Sequence, residues 1–176
     1  MEKGYIQIYT GYGKGKTTAA LGLGFRAVGN GLRVMMIQFL KSAHSSEQES
    51  IKAFKDVFEI KRLAVHEKFF WQLSAEEKAD FRIKLQKELY QIDEILLSGL
   101  WDVVILDEIF GALSNGMVTE EQLEKMLHLK PESVELVLTG RDAPERFIEM
   151  ADLVTEMKPI KHYYEKGVKS RKGIEY

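Results

Sequence analysis

Residues 5–18, Tyr-Ile-Gln-Ile-Tyr-Thr-Gly-Tyr-Gly-Lys-Gly-Lys-Thr-Thr, restrict the fold more than any other stretch of the chain. The apolar run from Tyr5 to Tyr9 reads as a buried strand. A turn containing Gly11, Gly13 and Gly15 follows, and Lys16-Thr17-Thr18 then opens an Ala/Leu-rich segment with helical periodicity. Strand, glycine turn, Gly-Lys-Thr and helix, in that order, make a phosphate-binding loop. Glycines let backbone N–H groups approach phosphate oxygens closely. The helix N-terminus aims partial positive charge at the same place. Lys16 neutralises phosphate charge, and the Thr17 hydroxyl is of the type that ligates Mg²⁺ (or Mn²⁺). Thr10, Gly11, Tyr12, Gly13, Lys14, Gly15, Lys16, Thr17 and Thr18 are therefore the candidate polyanion cradle.

The spacing departs from the common form of this loop. A glycine is expected five residues before the Gly-Lys pair; Thr10 stands there, with Gly11 one place later and a second lysine, Lys14, inside the loop. Phosphates are accordingly expected to sit differently from those of a common ATPase. A dinucleotide loop fits worse. Lys16 occupies the third glycine position, and no acidic residue lies between Glu2 and Glu47 to hold a ribose.

The downstream chain reads as alternating strands and helices. The apolar stripe of Ala19, Ala20, Leu23, Ala27 and Val28 gives a helix over residues 16–29, ended by Gly29-Asn30-Gly31. Arg33 to Phe39 is a continuous apolar run, as expected of a strand covered on both faces. Further strands are expected over 57–63, 101–108, 134–138 and 152–157. Helices are expected over 47–55, 75–97, 119–129 and 144–151, two of them opened by the capping boxes Ser74-Ala-Glu-Glu77 and Thr119-Glu-Glu-Gln122. The fold class that follows is α/β: a mainly parallel sheet with helices on both faces, of the P-loop NTPase (RecA-like) type. At 176 residues the chain is expected to form a single domain, 1–176, with a basic C-terminal tail over 158–176.

Composition removes several classes of function. The chain contains no cysteine, which excludes disulfides, thiolate metal sites and cysteine nucleophiles. A net charge of −2 gives no global reason to expect nucleic acid or an acidic membrane surface as partner. No leader and no membrane span are recognisable, so a cytoplasmic location is expected. The four histidines lack metal-ligand spacing.

Other stretches bear on the site. Trp101 to Glu108 places Asp107 and Glu108 at a strand end, where the second element of a nucleotide site holds its metal. Arg141 follows another strand end; it reads either as a phosphate clamp or as a surface ion pair. The polar segment Leu40 to Gln48 is either an active-site loop or a solvated connection. Phe69, Phe70 and Trp71 read either as the staple of the next helix or as a mobile apolar lid. The tail is frayed in its plainest reading, although His162, Tyr163, Tyr164 and Gly167 make it unusual.

With these residues in hand, the sequence resembles the ATP:corrinoid (cob(I)yrinic acid a,c-diamide) adenosyltransferases. The resemblance rests on Gly11 to Gly22, Gln38-Phe39-Leu40-Lys41, Leu106-Asp107-Glu108, Leu138-Thr-Gly-Arg141 through Glu156, and the tail motifs Lys158-Pro-Ile-Lys161-His162, Gly167-Val and Lys172-Gly-Ile-Glu-Tyr176. It implies transfer of the 5′-deoxyadenosyl group of ATP to the cobalt of a reduced corrinoid, with release of triphosphate. It implies Mg²⁺ held through Thr17, Asp107 and Glu108, and triphosphate charge stabilised by Lys14, Lys16 and Arg141. It adds Gln38 and Lys41 to the binding residues. It places Phe69 and Trp71 beneath cobalt, beside Lys16 and Arg141 in the catalytic set. A flavoprotein reductant and a homodimer are further implications. The sequence differs from the family's usual pattern at Ser42–Glu47, at Ala64–Phe69 and at Ile109-Phe-Gly111. Two other readings of the same residues stand beside it: a P-loop ATPase or kinase-like enzyme in which Glu108 orients water, and a non-catalytic nucleotide- or corrinoid-binding module.

Overall fold

A computed structural model describes residues 1–41, 46–54, 56–66, 68 and 70–175, with the side chain of Trp71 outside the description. Among the described residues six strands form one sheet: β1 (Ile6–Thr10), β2 (Val34–Gln38), β3 (Phe58–Arg62), β4 (Val103–Asp107), β5 (Glu135–Thr139) and β6 (Leu153–Glu156). Their order is β3-β2-β4-β5-β1-β6, and every pairing is parallel. All residues of β2, β4 and β5 are buried, as their unbroken apolar runs require of strands sandwiched between two helical layers.

The two faces carry separate cores. On one, Ala20 and Ala27 of α1 (Lys16–Gly29) and Ile51 of α2 (Ser46–Ile51) pack with Val34, Met36, Phe58, Val103 and Ile105. On the other, α3 (Ala75–Glu88), α4 (Tyr90–Leu97), α5 (Ile109–Ser114), α6 (Glu120–Leu129) and α7 (Glu145–Met150) cover Ile8, Ile37, Val104, Leu106 and Leu138. Burial of each such side chain contributes about 1.5–3 kcal/mol.

Both anticipated capping boxes are formed. The Ser74 hydroxyl accepts from Glu77 N–H while the Glu77 carboxylate accepts from Ser74 N–H, and Thr119 and Gln122 do the same. The helix expected over 75–97 is in fact two helices meeting at Leu89. Leu89 keeps helical dihedrals, but the Ile92 N–H donates to the Leu89 carbonyl, a tighter turn than the α-helical one. Helix α5, six residues long, is not among the helices expected from the sequence. Phe70 is buried, its ring 5.6 Å from that of Phe81, so this member of the aromatic triplet is core. Phe69 and the side chain of Trp71 lie outside the described residues. Among the described residues no helix is long and apolar enough to cross a membrane.

Candidate functional site

The parallel sheet brings the C-terminal ends of β1, β4 and β5 to one edge, and the loops leaving them build the site. The loop after β1 has the conformation that its glycines permit. Gly11 has φ 97° and Gly15, at the N-cap of α1, has φ 125°, both in the region where a side chain is strained. Gly11 also lacks room, since a Cβ there would lie 2.5 Å from the Met157 carbonyl oxygen. That oxygen accepts from the Gly13 N–H at 2.7 Å, and the Met157 N–H donates to the Thr10 carbonyl at 2.8 Å. The chain leaving β6 therefore clamps the loop from outside.

Lys16 is folded into this loop. It is 7% exposed, and its Nζ donates to the carbonyls of Gly11 (2.7 Å) and Gly13 (3.1 Å). Burial holds its pKa below the ordinary lysine value; Glu108 opposes that shift and Arg141 adds to it. A phosphate entering the cleft would supply the counter-charge that two carbonyl dipoles only partly provide.

The acidic pair divides its tasks. Asp107, fully buried at the end of β4, accepts at Oδ1 from the hydroxyls of Thr17 and Thr139, each at 2.8 Å. Gln38 Nε2 approaches Oδ2 at 3.4 Å, and Arg62 Nε donates to Gln38 Oε1 at 3.1 Å. Glu108 follows in the left-handed region, φ 61°, an uncommon conformation for a residue with a side chain. Its N–H donates to Thr139 Oγ1 at 2.9 Å. Burial raises the Glu108 pKa above the usual carboxylate range and Asp107 raises it further, while Lys16, Lys41 and Arg141 pull it back. Thr139 thus ties together both acids, and it does so because β5 lies between β1 and β4.

These parts surround a cleft of about 530 Å³. Lys14, Lys16, Lys41 and Arg141 line it, as do Tyr12, Gly13, Gly15, Thr17, Thr18 and Glu108. Arg141 stacks over the Tyr12 ring at 5.5 Å, and the Tyr12 hydroxyl donates to Asp142 at 2.7 Å. Thr10, Gly11, Gln38 and Asp107 stand behind the lining. Thr10 Oγ1 accepts from the Ala143 N–H at 3.3 Å. Of the polar segment Leu40 to Gln48, Lys41, Ser46 and Glu47 line the cleft, and Ser42–Ser45 lie outside the described residues. Among the described residues no group of three or more His, Asp or Glu side chains could hold a metal ion by itself.

Sequence reasoning missed two features. Thr139 carried a usable signal, a hydroxyl residue ending an apolar strand just before Gly140-Arg141. The tail carried none that gave its position. It folds over the phosphate loop, and His162, Tyr163, Gly173, Ile174 and Glu175 form one wall of the cleft.

Residues 2–176 match the profile of the family described as ATP:corrinoid adenosyltransferase BtuR/CobO/CobP. The chain is 38% identical to a corrinoid adenosyltransferase of Sinorhizobium sp over 99% of its length and 81% of that protein. It is 32% identical to a corrinoid adenosyltransferase of Escherichia coli K12 and 33% identical to the corrinoid adenosyltransferase CobA of Salmonella typhimurium, in each case over 99% of its length and 87% of that protein. Among solved structures, the KaiC-like protein PH0186 from Pyrococcus horikoshii OT3 superposes with a TM-score of 0.52 at 16% identity, covering 88% of this chain and 73% of that one. That likeness concerns the fold alone.

Proposed function

The chain belongs to the ATP:corrinoid adenosyltransferase family, and from that premise we propose that it transfers the 5′-deoxyadenosyl group of ATP to the cobalt(I) of a corrinoid. The observation that carries the reading is one cleft into which Lys14, Lys16, Lys41 and Arg141 all converge. A surface with that charge is suited to a polyphosphate leaving group. In the reaction, the cobalt(I) electron pair attacks C5′, the C5′–O bond breaks, and triphosphate departs with the bonding pair; cobalt becomes formally cobalt(III).

The nucleophile carries no proton, so the chain's residues have two tasks: to fix C5′ over cobalt and to stabilise the charge that leaves. Lys16 and Arg141 perform the second, with Thr18 and the α1 N-terminus in support. Lys41 lines both the cleft and a neighbouring depression over Phe70 and Phe81, which supports entry of the corrinoid from that side; under this reading Phe69 and Trp71 serve as its aromatic contacts. The donor set fits a hard cation, because Thr17 and Asp107 are already hydrogen-bonded to each other beside the Glu108 carboxylate. Mg²⁺ would be held by Thr17, Glu108 and Asp107, the last directly or through water, and would supply charge neutralisation for the triphosphate. Under the same reading a flavoprotein supplies the electrons to cobalt, and the protein acts as a cytoplasmic homodimer.

The test is product identity. ATP with chemically reduced corrinoid is expected to yield inorganic triphosphate and a light-sensitive cobalt–carbon bond. A second reading, an ATPase, draws on Glu108 lining the cleft beside Lys16. Orthophosphate release without corrinoid would favour it over the transferase.

A further inference from the structure

Described residues of the tail beyond β6 pack on the phosphate loop. Lys14 Nζ donates to Glu175 Oε1 at 2.8 Å, to the Tyr163 hydroxyl at 2.9 Å and to the Ile174 carbonyl at 3.2 Å. The Tyr163 hydroxyl also donates to Glu175. Arg171 closes the cluster from the other side: its N–H donates to Glu175 Oε2 at 2.7 Å, its guanidinium reaches Glu175 Oε1 at 3.1 Å, and it lies 5.1 Å from the Tyr163 ring centroid. Glu175 therefore places a carboxylate on a cation of the phosphate loop, inside the cleft assigned to a triphosphate. Its side chain is 18% exposed and that of Lys14 is 39% exposed, so the pair is open to exchange with a solvated anion.

We propose that Glu175 is an internal competitor for the polyphosphate, a positioning residue that holds Lys14 while the cleft lacks a nucleotide and takes it back as triphosphate leaves. The proposal rests on the polyphosphate reading of the cleft. Its logic is electrostatic. Inorganic triphosphate carries more negative charge than the same phosphates esterified in ATP, so a loop with several cations retains the product more tightly than the substrate. An anion tethered beside Lys14 shortens that retention without entering the reaction. One exposed charge-assisted contact is modest in size, which suits a device that must be displaced in every turnover. Arg171 and Tyr163 keep the carboxylate in place between turnovers.

The experiment uses the full chain and inorganic triphosphate as probe. Calorimetric titration of wild type and of Glu175→Gln is expected to give tighter binding in the variant, by about threefold, the scale of one exposed ion pair. In steady state the variant is expected to show a lower kcat, a lower KM for ATP and stronger product inhibition by triphosphate. Glu175→Asp, which keeps the charge, is expected to restore most of the difference. Amide exchange gives a readout independent of activity: the Arg171 N–H, bonded to Glu175 in the wild type, is expected to exchange faster once triphosphate is added. Equal or weaker binding by Glu175→Gln, or slower exchange at Arg171 with triphosphate, would overturn the proposal while leaving the transferase reading intact. Failure of wild type to bind triphosphate at all would overturn both.

Discussion

Thr139→Val isolates the connection on which the site's geometry depends. The substitution keeps shape and volume and removes one hydroxyl that is fully buried. That hydroxyl donates to Asp107 Oδ1 at 2.8 Å and accepts from the Glu108 N–H at 2.9 Å. Loss of a hydrogen bond to an ionised carboxylate costs about 1.5–3 kcal/mol, and a buried N–H left without an acceptor costs about 1–3 kcal/mol. The two together come to roughly 2.5–6 kcal/mol, set against a total stability of about 5–15 kcal/mol. At roughly 2–4 °C per kcal/mol for a chain of this size, Tm should fall by about 5–24 °C. Urea unfolding monitored by circular dichroism measures the loss directly. Thr139→Ser retains the hydroxyl and should recover most of it, losing only a buried methyl. A double-mutant cycle with Asp107→Asn should give a coupling of at least about 1 kcal/mol, because the two groups touch. If Thr139→Val unfolds at the wild-type urea concentration, Asp107 and Glu108 are not held through β5 and the account of the acidic pair fails.

Other outcomes follow from the same geometry. Lys16→Met should lose ATP affinity by about 30-fold or more, the cost of removing one desolvated charge contact of about 2–5 kcal/mol; calorimetry with ATP that finds wild-type affinity would remove Lys16 from the cradle. Glu108→Gln should stabilise the ligand-free protein at neutral pH while abolishing turnover. The sign comes from the raised pKa of Glu108, caused first by burial. Between its unfolded value near 4.5 and its higher folded value the native state binds the extra proton, so stability falls as pH rises through that window. The Tm advantage of the variant should therefore shrink as pH is lowered through that window and be lost by about pH 4.5, and a variant less stable than wild type at neutral pH would contradict the burial argument. Gly11→Ala should destabilise by about 2 kcal/mol or more, from the left-handed φ penalty and from a Cβ only 2.5 Å from the Met157 carbonyl oxygen; thermal melts read the change.

Several elements were legible because their signals are local. Gly11-Tyr-Gly-Lys-Gly-Lys-Thr-Thr specifies a turn and a helix start through φ preference and orphan N–H groups, and both are present at Gly15 and Lys16. The capping boxes at Ser74 and Thr119 are reciprocal contacts within four residues. Continuous apolar runs identified strands buried on both faces, since the cost of leaving such runs in water does not depend on which partners cover them. Four cleft-lining residues follow strand ends that such runs mark: Lys16, Lys41, Glu108 and Arg141 are each close in sequence to a strand end, and all four reach the cleft.

Strand order, by contrast, is a long-range choice made by packing, and nothing local encodes it. With β5 inserted between β1 and β4, Thr139 becomes the bridge between Asp107 and Glu108, a role that no inspection of residues 134–141 could assign. The same holds for Met157, whose carbonyl explains why Gly11 tolerates no side chain, and for Lys14. The sequence alone determined that Lys14 sits in a phosphate loop. Only the tertiary structure decided that its ammonium rests against Glu175, 161 residues away, because a contact at that separation depends on the whole sheet closing first and not on the residues beside it.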